Sequence, residues 1–539
     1  MKARHSLSGS STSRALTPSS SVHSVETTGV VSDTSARTRV RRDVTLARAP
    51  HARIPTLTST GEPPRNVHLL GAGGAGVSGV GLLFASRGVH VGGSDRAESA
   101  FVDLLREAGV DVHVGQQQDL PGDVDLVVHS AAIDEADAQL VEAKQRGVET
   151  LKYAECLARL APARRTIGVA GTHGKTTTSW FAYHALLGMA TSGNLSRTQG
   201  LPGALIGGSC RSTGANAVPA EENGWFVAEA CEYDRTFLQL APEGAIVTNV
   251  EADHLDYYGS YEELERAFAC FADRVHPEGL LVVGRDVPEL VEATCAAPVW
   301  RLGRELEVEL TGEALGRFRF RLRGPGWRTR ELEVPIPGAH NVENAALAVG
   351  LAIGLAGRGE SVDEARMQGA LDGLATFRGA ERRFESWGSQ GGVDVVHDYA
   401  HHPTEIRCTL EAARRALPGR PLHVLFQPHQ HSRTARFMAD FVDSLRSADR
   451  VVVSDVYGAR KHIDAEAGAG ADELATRLRR AGVDATYGAE LWQSTRELIA
   501  GLPAKSAALI LGAGDVDRIQ HDLLDQLALR GPASSGLIV

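Results

Sequence analysis

The stretch IGVAGTHGKTTTSW, Ile167 to Trp180, carries the residue types that hold a polyphosphate. Gly171 and Gly174 let a backbone approach closely, Lys175 brings a cation, and Thr176 brings a hydroxyl suited to Mg²⁺. The usual phosphate loop also has a glycine at the position held here by Val169. From these residues alone the stretch reads either as a nucleotide loop with a tighter turn or as a chance Gly-Lys-Thr after a strand. Magnesium needs further oxygens, and Glu229, closing the apolar run WFVAE, has the position of an acid at a neighbouring strand end. His254 follows another apolar run, in an acidic loop with Glu251, Asp253 and Asp256. Histidine is an unusual Mg²⁺ ligand, so a metal contact and plain polar surface both stay open. In HNVEN, Asn341 and Asn344 open a helix, readable as caps or as amides for the edge of an adenine.

Two further groups carry chemistry. Gly71, Gly73 and Gly76 form G-x-G-x-x-G before a predicted helix from Ala75 to Arg87, and Asp95 ends the next strand. Glycines and a helix N-terminus suit a diphosphate, and Asp95 stands where an acid meets a ribose hydroxyl. A nicotinamide enzyme and any other diphosphate nucleotide fit equally. Toward the C-terminus, His397, His401, His402, His429 and His431 lie at strand ends with Arg433 beside them. They read as a zinc site lacking an H-E-x-x-H spacing, or as a pocket for a small anion in which histidine takes a proton from an amine.

The elements that position these residues fall into three α/β segments. RNVHLLGAGGAGVSGVGLLFASRGVHVGGSD reads as strand, turn, helix and strand; VDLVVHSAAI adds a strand ending near Ser130, and a helical stretch runs to about Leu160. Thr166–Ala170 is a buried strand before the phosphate loop, and IPGAHNVENAALAVGLAIGLA is a turn into a long Ala-rich helix. Beyond Phe377, four apolar runs of strand length alternate with amphipathic helices, and each ends in polar or glycine residues, as ligand loops do at the C-terminal edge of a parallel sheet. The division is 1–63, an N-terminal extension; 64–163; 164–376; and 377–539.

Bulk properties bound the function. A length of 539 residues suits several domains, and a net charge of −11 argues against a protein that grips nucleic acid by charge. Six scattered cysteines without a C-x-x-C pair suit a reducing cytoplasm. No apolar run is long enough for a membrane span. The first 63 residues are rich in Ser, Thr and Arg, with sparse acids, and read as a disordered tail, a transit peptide or an incorrectly assigned start.

From about Arg65 to Leu527 the chain resembles the Mur ligases. The stretches GAGGAGVSGV with GSD, GTHGKTTT, EACEYDRTFL, TNVEADHLD, PGAHNVENA, RGAERRFE, DYAHHPTEI, FQPHQHSRT and LGAGD occur in family order. The resemblance implies a Rossmann-like UDP-binding domain, a central P-loop ATPase-like parallel sheet and a C-terminal Rossmann-like domain. It implies ATP and Mg²⁺, and a reaction in which the lactyl carboxylate of UDP-N-acetylmuramate becomes an acyl phosphate that the amine of L-alanine attacks. HHPTE and FQPH are typical of this alanine-adding branch. Partners would be small molecules, with no nucleic acid or membrane, in a cytoplasmic monomer or weak homodimer.

Carried over by residue, Gly171, Thr172, His173, Gly174, Lys175, Thr176 and Thr177 would form the ATP loop. Asn344 would meet adenine, and Arg383 and Asp398 would reach ATP from the third domain. Thr176 and Glu229 would hold one Mg²⁺, and Glu229 and His254 a second. Gly73, Gly74, Ala75, Gly76, Asp95, Ser130 and His173 would contact the UDP-sugar; Tyr399, His401, His429 and Arg433 would surround alanine and the acyl group. Lys175, Glu229, His254 and His401 would carry the catalysis. On this template the loop starts at Gly171, so Val169 is no longer an anomaly. Gln430 and Cys231 depart from the commoner arginine and aspartate, with Glu232 or Asp234 able to compensate for the second. No lysine occurs from Asp256 to His276, where later-acting relatives carry a carbamylated one. A related ligase that reattaches recovered tripeptide carries a Cys-Gly-Thr feature in its first turn, where this chain has Gly73-Gly74-Ala75. A nicotinamide oxidoreductase would leave GTHGKTTT without a purpose, and a non-enzymatic P-loop protein would leave the first domain and the late histidines unexplained.

Overall fold

The computed structural model describes residues 62–115, 119–162, 164–192, 200–357, 363–458 and 470–530. The expected N-terminal extension lies outside them but for its last two residues. The first lobe has strands β1 (Asn66–Leu70), β2 (His90–Asp95), β3 (Asp111–Val114), β4 (Leu126–His129) and β5 (Glu149–Lys152), all parallel in the order β3-β2-β1-β4-β5. The helical stretch expected to run to Leu160 is instead two helices, Ala138–Gln145 and Tyr153–Leu160, separated by β5. The sequence ETLK is too short and polar to announce an edge strand; pairing with β4 decides it.

The central lobe is built on β6 (Thr166–Ala170), β7 (Gly203–Leu205), β8 (Ala217–Val218), β9 (Phe226–Glu229), β10 (Gly244–Val247), β11 (Leu280–Val283) and β12 (Val299–Arg301). Their order is β12-β11-β10-β6-β9-β7-β8, parallel except for β7 with β8. The chain therefore leaves β6 in both directions, with β9 on one side and β10 on the other. That is the topology that opens a crevice beyond the strand ends. Helices Lys175–Thr191 and His340–Ala356 are apolar around most of their circumference and are buried accordingly. Helix Glu364–Ala375 crosses the first of these so closely that a Cβ on Gly188 would stand 2.0 Å from the carbonyl oxygen of Gly369. An antiparallel sheet of β13 (Glu307–Ala314), β14 (Arg317–Gly324), β15 (Trp327–Arg328) and β16 (Leu332–Glu333) packs its inward Phe320 and Leu322 into the same core.

The third lobe has β17 (Glu385–Gln390), β18 (Val393–Asp398), β19 (Leu422–Phe426), β20 (Arg450–Ser454), β21 (Asp484–Ala489) and β22 (Ala507–Leu511), in the order β17-β18-β22-β19-β20-β21. Only β17 is antiparallel. β18, β19, β20 and β22 are the four expected apolar runs; β17 and β21, on the edges, are too polar to show by pattern. Among the described residues no helix is long and apolar enough to cross a membrane.

Candidate active site

Gly171 takes φ +133°, and a Cβ there would lie 1.9 Å from Thr248 Oγ1, so no other residue fits the start of the loop. The loop is lashed to the segment leaving β10. Asn249 Oδ1 accepts from His173 N at 2.8 Å, Thr248 Oγ1 donates to His173 O at 2.6 Å, and Thr172 Oγ1 accepts from Glu251 N at 2.9 Å. Gly174, at φ +80°, caps helix Lys175–Thr191 without a side-chain bond, which leaves the first N–H groups for an anion.

Lys175 Nζ donates to Gly171 O at 2.6 Å and Thr172 O at 3.0 Å and pairs with buried Glu232 at 2.9 Å. Burial opposes its charge, but Glu232 outweighs burial and holds the ammonium above its ordinary value. Thr176 Oγ1 donates to Glu229 at 3.0 Å, and Gly207 N donates to the same carboxylate at 2.8 Å. His254, held at φ +53°, stands 3.9 Å from Glu232 and 3.8 Å from Asp253; its Nδ1 is buried with no hydrogen bond. Burial keeps this imidazole below its ordinary value despite both acids, so it presents a neutral ring. Thr176 and Glu229 offer oxygens of the kind a divalent cation takes, and the unbonded Nδ1 of His254 offers a nitrogen. Burial pushes the neighbouring Cys231 thiol up to about 12, so it stays protonated.

Beyond the loop lies a cavity of about 200 Å³, lined by His173, Gly174, Thr177, Asn344, His340, Arg383 and Asp398 among others. Burial pushes Asp398 up to about 6 against the pull of Arg383, while Phe384 N and Ala400 N donate to it. The third lobe meets the central one here. Arg433 grips Asp253 with contacts of 2.8 and 3.1 Å, and both are buried. Arg433 also lies 3.2 Å from His429 Nδ1. His401 stands 3.1 Å from Glu405 and has its ring 5.7 Å from that of His429; the guanidinium groups of Arg382 and Arg383 lie 4.7 and 4.9 Å from the Tyr399 ring. A second cavity, of about 740 Å³, is lined in the first lobe by Gly73, Gly74, Asp95 and Ser130, and by Tyr457 of the third lobe.

Three family models cover these lobes in order: "Mur ligase family, catalytic domain" over residues 66–165, "Mur ligase middle domain" over 169–352 and "Mur ligase, glutamate ligase domain" over 382–514. A UDP-N-acetylmuramate–L-alanine ligase of Kineococcus radiotolerans is 40% identical, across 86% of this chain and 96% of its own. The chain belongs to the Mur ligase family. Relatives of the same name in Thermobifida fusca and Rubrobacter xylanophilus are 39% and 36% identical across 86% of this chain, and 96% and 100% of theirs. The crystal structure of UDP-N-acetylmuramate-alanine ligase from Thermotoga maritima superposes with a TM-score of 0.68 at 26% identity, over 86% of this chain and 98% of that one.

In this Mur ligase several expected residues have partners that the sequence does not show. Asp95 accepts from Gly73 N at 2.8 Å and Ala97 N at 3.1 Å, so it organises the glycine turn as well as facing the first-lobe cavity. Ala75 and Gly76 do not line that cavity. Ala75 O accepts from Asn216 at 2.7 Å, and a Cβ on Gly76 would strike the Tyr153 ring at 2.6 Å, so this glycine serves helix packing. His173, expected in the ATP loop and at the UDP-sugar, lines the smaller cavity and stands 3.3 Å from Glu405 and 3.5 Å from Glu251. Capping fails for the Asn pair, because the helix cap is Ala339 without a side-chain bond. Asn341 donates to Pro337 O at 2.6 Å and accepts from Asn344 at 3.1 Å.

The late histidines of this Mur ligase are not one cluster. His397 is buried in the sheet against Trp387, and His402 packs against His173 and Phe437. Glu405, His340 and Tyr457 escaped the sequence reading. Glu405 alone had a local signal, three residues after a His-Pro that starts a helix, which reads as a capping box.

Proposed function

We infer that this chain is an ATP-dependent ligase joining L-alanine to the lactyl carboxylate of UDP-N-acetylmuramate through an acyl phosphate. The observation that carries this reading is 36–40% identity to ligases of that name across 86% of the chain. The arrangement of the lobes supports it, with a polyphosphate loop, a diphosphate-type turn and a histidine-arginine group in three separate lobes.

The loop from Gly171 to Thr177 binds the ATP phosphates through its N–H groups, and Lys175 leaves Glu232 to meet the transferring phosphoryl group. Thr176, Glu229 and His254 would hold Mg²⁺, which when bound offsets the charge of the phosphates. Asn344 lies beside the smaller cavity with an amide for adenine. Arg383 and Asp398 bring the third lobe to the nucleotide. Gly73, Gly74, Asp95 and Ser130 take the UDP portion, with Asp95 fixing the turn. The carboxylate attacks the γ-phosphorus and ADP leaves; the alanine amine then attacks the acyl carbon, phosphate leaves, and the amine proton passes to a base, a role we give to His401. Lobe closure aligns the reactants and keeps water from the acyl phosphate. The enzyme acts in the cytoplasm.

Phosphate release from ATP is expected to require both UDP-N-acetylmuramate and L-alanine. Release that responds to the tripeptide and not to alanine would assign the recycling reaction instead; NAD binding without ATP turnover would remove the ligase reading.

A further inference from the structure

His173 and Glu251 belong to the central lobe and His402 to the third, and one ligand atom from each lies within 4.8 Å of the other two. Glu251 Oε2 is already 3.5 Å from His173 Nε2 and 4.0 Å from His402 Nδ1. In tetrahedral zinc sites, bonds of ~2.0–2.1 Å put neighbouring ligand atoms roughly 3.3 Å apart, so a contraction of at most about 1.5 Å closes the set. His402 is only 5% exposed, and its Nδ1, the nitrogen turned to Glu251, has one long bond from Thr404 N; buried His173 Nε2 has no hydrogen bond, only Glu251 at 3.5 Å. A buried polar nitrogen left without a partner calls for a reason.

We propose that His173, Glu251 and His402 form a second cation site, for a borderline divalent transition ion such as Zn²⁺, that clasps the central lobe to the third. It shares no residue with the Mg²⁺ set at Thr176, Glu229 and His254. The balance of donors separates the two: two imidazoles and one carboxylate suit Zn²⁺, whereas the Mg²⁺ set offers a hydroxyl and a carboxylate with a single imidazole. Outer contacts hold the ligands in place, as at built metal sites. Glu405 stands 3.3 Å from His173 Nδ1, and Thr404 Oγ1 donates to Glu251 at 2.8 Å. Ligation by His402 forgoes only the long 3.3 Å bond that its Nδ1 accepts from Thr404 N. The ion takes the place of the proton that His173 otherwise shares with the two carboxylates. The smaller cavity, which His173 and Glu251 line, is the way in.

Zn²⁺ titrated calorimetrically into the full chain, with Mg²⁺ saturating, is expected to bind at one site per chain. His402→Asn keeps a residue able to cap the helix but removes the ring, and it should weaken Zn²⁺ at least tenfold. Glu251→Gln should do the same, and keeps the test decisive should the first variant misfold. Glu229→Gln should leave Zn²⁺ binding unchanged. Co²⁺ should give tetrahedral visible bands in the parent and none in His402→Asn. The site is refuted by an absence of Zn²⁺ binding, by binding that survives both His402→Asn and Glu251→Gln, or by loss on Glu229→Gln alone. The first would leave the pair of rings as packing, and the last would put the ion in the Mg²⁺ set.

Discussion

Lys175 is held back by its own loop, by two carbonyls and by Glu232, so the cation needed for phosphoryl transfer is stored beside its target. Lys175→Ala is expected to lower turnover by about 100-fold or more, the scale of losing one preorganised charge contact to a transition state. Calorimetric affinity for the UDP-sugar should stay within about threefold, because that cavity lies in another lobe; equal loss of both would mean the fold itself had failed. His173 gives a pH signature. Burial lowers its affinity for the proton, but Glu251 and Glu405 overcome that and raise it to about 9. A raised folded value means that the stabilisation is whole below the unfolded value of ~6.5 and is lost as pH rises through 9. The thermal midpoint should therefore fall between these limits in the metal-free protein, and Glu405→Gln should flatten the profile; an unchanged slope would remove Glu405 from the clasp. The loop and Glu229 could be read from the sequence because each follows its own strand. The contact of His173 with Glu405 could not, since it joins positions 232 residues apart.

At the scale of elements, buried strands announce themselves by apolar runs, and β6, β9, β18, β19, β20 and β22 lie where those runs predict. Edge strands β5, β17 and β21 do not, because one side faces solvent and pairing supplies what composition lacks. The crossing of helices Lys175–Thr191 and Glu364–Ala375 is a second feature hidden from pattern. Gly188→Ala should destabilise the protein by about 1–3 kcal/mol through overpacking, since the obstruction is backbone and cannot swing aside. Gly122→Ala, where no atom lies within 4 Å, should stay within roughly 0.5 kcal/mol. Urea unfolding followed by circular dichroism measures both; equal effects would mean that the helices re-space freely.

At the scale of the whole molecule, Asp253 and Arg433 are a buried pair whose members come from different lobes. Removing one partner of such a pair inside a single core costs about 3–5 kcal/mol. Here the survivor can instead regain water if the lobes part. Asp253→Ala is accordingly expected to shift the protein toward an open arrangement, seen as a larger radius of gyration by small-angle scattering, with a smaller loss of unfolding stability than that figure. An unchanged radius would mean that the remaining contacts hold the lobes alone. Three lobes and their order were legible in the sequence; how they meet was not, because each charged group at the junction is ordinary in its own segment.

Tyr457 gives the first-lobe cavity a wall that belongs to the third lobe. A molecule in that cavity would touch both lobes at once. Its grip should therefore tighten as the lobes draw together, and a first substrate is expected to exchange with a labelled pool more slowly once the later ones are present.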